Sequence, residues 1–143
     1  MTGRVVFDTS TLVSAAILPG SIPDQALSRG ILFHRVCVSP ETLAELGRVL
    51  RQKKFDRYID FELRLEFFQK LCRDSLCHTV ASGVLDEVKG DCRDQKDSRF
   101  LALALDARAH LIVSSDNDLL VLHPWRGILI LIPAQFLAQS DSD

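Results

Sequence analysis

The β-prone runs of this chain are apolar from end to end instead of alternating, and that limits its fold more than any other feature. They are Arg4-Val5-Val6-Phe7, Arg35-Val36-Cys37-Val38, Leu111-Ile112-Val113 and Ile128-Leu129-Ile130-Leu131-Ile132. A strand with one wet face alternates, whereas a strand buried on both faces reads as a continuous apolar run, as in a helix-covered parallel sheet. A weaker candidate strand lies between His78 and Val88, where Val80, Val84 and Val88 are interrupted by Ser82-Gly83.

Helical patterns fill the spaces between the runs. Ser10 to Leu18 stops at Pro19-Gly20, and Ser21-Ile22-Pro23-Asp24 opens a second helix running to about Gly30. Ser39-Pro40-Glu41 combines a serine cap, a first-turn proline and an acid at the positive helix end, ahead of a Leu43, Leu46, Leu50 stripe. Phe61, Leu65, Phe68 and Cys72 recur at helical spacing, and Asp97 to Ala107 carries Phe100, Leu101, Ala104 and Leu105. Strands alternating with helices predict an α/β domain: a mostly parallel central sheet of four to five strands with helices on both faces. No repeat or linker divides the 143 residues, a length that fits one domain. That domain is expected over residues 1–138, with a polar tail over 139–143.

A formal charge of −2 argues against a protein that coats nucleic acid, but allows an enzyme that meets it through a local patch and bound cations. Cys37, Cys72, Cys77 and Cys92 form no CxxC pair and have no histidine at zinc-finger spacing, so a zinc site is not expected. Nothing in Met1-Thr2-Gly3-Arg4 resembles a secretory signal, and no apolar stretch is long enough to cross a bilayer. The cysteines are therefore expected to be reduced core thiols of a cytoplasmic protein with no membrane contact.

The acids fall in a pattern. Asp8 directly follows the first run, and Asp116 follows the Leu111 run after two serines. Asp97 begins the helix before that run with Asp94 one turn upstream, and Glu45 lies in the helix after the second run. Open parallel sheets bind ligands outside the carboxyl ends of their strands, the edge on which several of these acids would open. Two carboxylates about 4 Å apart repel by several kcal/mol at an effective dielectric near 20. A hard divalent cation resolves that repulsion and can activate water for phosphodiester hydrolysis. Each acid also has a plainer reading. Asp8 could be a turn residue, Asp94 and Asp97 helix caps, Asp116-Asn117-Asp118 a capped loop, and Glu45 a surface partner of Arg48 at i+3.

Four segments together resemble the PIN-domain family of ribonucleases, particularly the VapC-like toxins of bacterial toxin–antitoxin pairs. They are Val5-Val6-Phe7-Asp8-Thr9-Ser10, Ser39-Pro40-Glu41-Thr42-Leu43-Ala44-Glu45-Leu46, Cys92 to Leu101 with its Asp94 and Asp97, and Val113-Ser114-Ser115-Asp116-Asn117-Asp118. The resemblance implies Asp8, Glu45, Asp97 and Asp116 as a catalytic quartet holding Mg²⁺ or Mn²⁺, with Asp94 and Asp118 supporting. Ser10 and Ser114 stand where Asn and Thr are commoner; both keep a hydroxyl able to orient water or phosphate. The resemblance also implies an RNA substrate, a cognate antitoxin protein and a homodimer.

Arg48, Arg51, Lys53, Lys54 and Arg57 form a basic segment, readable as a phosphate-contacting edge, with Arg51, Lys53 and Lys54 the candidates, or as a solvated helix end. Three other functions remain open at this point. A haloacid-dehalogenase-like phosphatase needs a second aspartate where Ser10 stands, and a receiver-like domain needs a lysine near the last strand, whereas none follows Lys96. A PIN-like module could bind RNA or protein without cutting.

Overall fold

The computed structural model describes residues 3–141; Met1 and Thr2, and Ser142 and Asp143 at the end of the expected tail, lie outside the described residues. The four apolar runs form strands β1 (Arg4–Phe7), β2 (Arg35–Val38), β4 (Leu111–Val113) and β5 (Leu129–Leu131). A fifth strand, β3, is the pair Leu76–Cys77. All pairings are parallel, in the order β3-β2-β1-β4-β5.

Successive side chains of a strand point to opposite faces, and here both faces are dry. Val5 and Phe7 enter one core with Leu12, Leu27, Leu46 and Phe136, while Val6 enters a second core with Leu101, Leu103 and Ile130. The first core is covered by α1 (Thr9–Ile17), α2 (Ile22–Phe33), α3 (Pro40–Leu50), α4 (Phe61–Asp74) and α8 (Pro133–Asp141). The second is covered by α5 (Val84–Val88), α6 (Ser98–Asp106) and α7 (Asn117–Leu120). Gly30 of α2 sits so close to the sheet that a Cβ there would lie 3.0 Å from the Phe7 ring.

Caps set the helix starts as the sequence suggests. Ser39 accepts a hydrogen bond from the Thr42 amide while Thr42 Oγ1 accepts from the Ser39 amide, a reciprocal box with Pro40 in the first turn. Among the described residues, no helix is long and apolar enough to cross a membrane.

Three expectations need correction. The region from Val80 to Val88 holds no strand: β3 lies just upstream, and Val84–Val88 is a helical turn entered through Gly83 at φ 92°. The valine spacing of four is one helical turn, not an extended rhythm. On α4 the buried positions are Arg64 and Leu71, while Phe61 and Cys72 are exposed. Buried Arg64 donates to Asp56 Oδ1 at 2.6 Å, so a charged residue occupies the inward stripe. All four cysteines are free, but only Cys37 and Cys92 are core residues; Cys77, like Cys72, is exposed.

Leu101 is completely buried where α6 packs on the sheet. Leu101→Ala is expected to cost about 2–5 kcal/mol in urea unfolding; a loss under about 1 kcal/mol would show that α6 is not seated on this core.

Candidate active site

The strand order reverses direction at β1: the chain steps outward to β2 and β3, then crosses back to β4 and β5. The crevice between the carboxyl ends of β1 and β4 is therefore a topological switch point, where open α/β sheets bind ligands. Asp8 follows β1, and Asp116 follows β4 after two serines.

Asp8 is 2% exposed and caps α1, with Oδ1 accepting from the Thr11 amide at 3.0 Å. Its Oδ2 accepts from the fully buried Ser114 hydroxyl at 2.6 Å and from Ser10 Oγ at 3.4 Å. Ser114 Oγ in turn accepts from the Asp116 amide at 2.9 Å. The Ser114 hydroxyl is thus occupied in tying the two strand ends together, whereas exposed Ser10 lines the open cleft. Asp116 caps α7 through Oδ1, which accepts from the Asp118 amide at 2.9 Å. The cap readings of Asp8, Asp94 and Asp116 hold, and capping occupies one oxygen of each carboxylate.

Asp97 is the centre of the acidic cluster. It ends the short 3-10 turn Gln95–Asp97, which Asp94 caps by accepting from the Lys96 amide. Asp97 Oδ2 is buried with no hydrogen-bond partner. Burial, and then the Asp116 carboxylate beside it, push the Asp97 carboxyl up from its ordinary 3.8 to about 7, with smaller contributions from Asp94 and Asp8. Burial also raises Asp8, against the Ser114 and Thr11 hydrogen bonds that favour its ion. Oxygens of Asp94, Asp97 and Asp118 lie within 4.8 Å of one another. An all-carboxylate donor set around a buried oxygen with no donor is suited to a hard divalent cation.

A cleft of about 460 Å³ opens over this cluster, with Asp8, Ser10, Glu45, Asp94, Asp97 and Asp116 in its lining. All four acids of the quartet therefore face one space. Glu45 does so as the ion-pair partner of Arg99 Nη2, not of Arg48. Asp118 pairs with Arg93 at 3.6 Å. Phe55 also lines the cleft, and exposed Lys54 holds its Nζ 5.2 Å from the Phe55 ring centroid; Lys53 is exposed but does not line the cleft, and Arg51 lines a separate small cavity beside Arg64. The sequence reading missed two basic residues, Lys96 in the cleft wall and Arg99 on Glu45. Their position beside Asp97 was the available signal.

A carboxyl that holds its proton more tightly when folded stabilises the fold below its unfolded pKa and loses that contribution as pH rises through the folded value. In EDTA, the parent protein should therefore lose stability relative to Asp97→Asn between pH about 4 and 8, the window set by 3.8 and about 7. Each kcal/mol corresponds to roughly 2–4 °C of melting temperature in a domain this size. A pH-independent difference between the two melting curves would contradict the crowding of Asp97.

Comparison with known proteins identifies the family and the fold. The family model described as PIN domain matches residues 4–118. The uncharacterised protein MJ1680 of Methanocaldococcus jannaschii is 30% identical over 122 residues, covering 83% of this chain and 74% of its own. Among solved structures, PAE2754 from Pyrobaculum aerophilum superposes with a TM-score of 0.65 at 16% identity, over 99% of this chain and 91% of that one. VapBC2 from Rickettsia felis, bound to a DNA fragment from its promoter, gives 0.62 at 16% identity over 89% and 96%. With the family pattern spanning most of the sequence and its acids gathered at one sheet edge, the chain belongs to the PIN-domain family.

Proposed function

We propose that this chain is an endoribonuclease that hydrolyses RNA phosphodiester bonds with Mg²⁺ or Mn²⁺, and that it is the toxin of a toxin–antitoxin pair. The observation that carries the reading is the convergence of Asp8, Asp94, Asp97 and Asp116 on one cleft around a buried Asp97 oxygen with no donor. Family membership supports hydrolysis of nucleic acid over the phosphatase and receiver alternatives. The fold shared with a VapBC2 assembly supports a small protein antitoxin as partner. A homodimer and a cytoplasmic setting belong to the same proposal.

Asp8, Asp97 and Asp116 would hold the cation, with Asp94, Asp118 and Glu45 completing the negative field. A bound divalent cation would supply charge neutralisation, phosphate polarisation and activation of water. Asp8 is kept in place by the α1 amide and the Ser114 hydroxyl, so its orientation is set before substrate arrives. Glu45 lines the cleft wall and pairs with Arg99; once Arg99 released its carboxylate, Glu45 would take a proton from the attacking water. Lys96 in the cleft wall, and Lys54 over the Phe55 ring, would supply positive charge for the RNA backbone, with Lys53 beside them in sequence.

A second reading, a non-cleaving RNA- or protein-binding module, is favoured only by the ion pair that neutralises Glu45. Cleavage of single-stranded RNA with and without EDTA separates the two. The parent protein should cut with Mn²⁺ and stop with EDTA, and Asp8→Asn should remove cleavage while the chain still folds to the same circular-dichroism spectrum, since asparagine also caps a helix; the altered contact with Ser114 lowers its melting temperature by several degrees at most. Full activity in that variant, with contaminating nuclease excluded by a mock purification, would overturn the proposal.

A further inference from the structure

A second cavity, of about 210 Å³, lies beside the catalytic cleft, and Glu41, Val80, Ser82, Leu85, Arg99 and Ala102 contribute to its wall. It opens on the same edge of the sheet: Glu41 is in the first turn of α3 after β2, Val80 and Ser82 lie in the loop after β3, and Arg99 and Ala102 are in the first turns of α6. Arg99 joins the two spaces. Its side chain lines this cavity while its guanidinium pairs with Glu45, which lines the catalytic cleft. One half-buried arginine therefore stands between the acidic cluster and the neighbouring pocket.

The pocket's chemistry differs from that of the cleft. Val80, Leu85 and Ala102 give it apolar surface, and its polar side chains are the Arg99 guanidinium, the Glu41 carboxylate and the hydroxyls of Ser82 and of Ser39, the latter engaged in capping α3. Apolar walls suit the faces of a planar ring, while Glu41 can accept from amino and imino N–H groups on its edge and Ser82 can donate or accept. At about 210 Å³ the cavity is smaller than the roughly 300–1,000 Å³ of pockets that enclose drug-sized ligands, and suits one ring system. Gly83, at φ 92°, turns the chain between Ser82 in the loop and Leu85 in the first turn of α5. The Leu85 side chain is 42% exposed, an apolar group left open at the pocket.

The geometry points to a nucleobase subsite: the pocket takes one unstacked base of a single-stranded RNA whose scissile phosphate lies in the acidic cleft, and Arg99 contacts the phosphate linking the two positions. The inference rests on the RNA-hydrolysing reading above. It makes Glu41, Ser82 and Leu85 residues that set base preference, and it gives Arg99 a role apart from neutralising Glu45. An arginine fork between two successive nucleotides is suited to phosphate, which it can grip with two N–H groups.

The test is amide NMR of the labelled full chain, titrated with each of the four ribonucleoside 5′-monophosphates and with ribose 5-phosphate, which carries no base. The expected result is that at least one nucleotide perturbs the amides of Ser82, Gly83, Leu85 and Ala102, and that ribose 5-phosphate does not. Two variants on exposed positions outside the catalytic cluster, Leu85→Asp and Ser82→Trp, should lose those perturbations at concentrations that saturate the parent protein, with unchanged melting temperature. Both should also flatten base preference at a single position next to the cut in a randomised RNA pool, while metal-dependent hydrolysis of bis(p-nitrophenyl) phosphate, which has no base, is retained. Absence of nucleotide perturbations, identical perturbations by ribose 5-phosphate, or variants that leave both signatures intact would overturn the subsite. Nucleotide binding here without any RNA cleavage would overturn the hydrolytic reading and leave the subsite standing.

Discussion

The arrangement depends on one buried hydroxyl. Ser114 donates to Asp8 and accepts from the Asp116 amide, so a single side chain fastens the ends of two strands whose residues are more than a hundred positions apart in sequence. A buried hydrogen bond to a charged group contributes roughly 1.5–3 kcal/mol, and more is lost if one partner is left unpaired. Here it acts against the repulsion that gathers around Asp97, whose carboxyl is pushed up to about 7. The strand ends are drawn together by the same residues whose charges resist it, and on the proposed function a bound divalent cation would turn this opposition into stability.

The frame can carry that strain because it is dry on both sides. Val5, Val6, Leu111, Ile112 and Val113 are fully buried between two helical layers, so the carboxyl ends of β1 and β4 have little freedom to splay. Helix caps provide the remaining control. Asp8 and Asp116 each give one oxygen to a helix amide, which fixes their direction and leaves the crowded site built from rigid parts.

Much of the frame was legible because it rests on local rules. Apolar runs without alternation gave four of the five parallel strands, and Ser39-Pro40-Glu41 marked its helix start to the residue. What escaped was set by distant neighbours. Leu76–Cys77 is too short to show a pattern and is a strand only because β2 pairs with it. Arg64 lies inside because Asp56 and the backbone of Ile59 meet it there. The same holds at the site. The strand-end acids could be placed from the topology rule, but the partner of Glu45 could not, because Arg99 reaches it from α6, far away in sequence, while Arg48 merely lies nearby in the same helix.

The central claim is that these side chains meet closely enough to require a hard cation, and crystals soaked in Mn²⁺ test it directly through anomalous diffraction at the manganese edge. The account predicts a strong peak among the carboxylates of Asp97, Asp8 and Asp116 that disappears in Asp97→Asn crystals. An empty cleft at saturating Mn²⁺, with Asp8, Asp97 and Asp116 directed to separate surfaces, would contradict it.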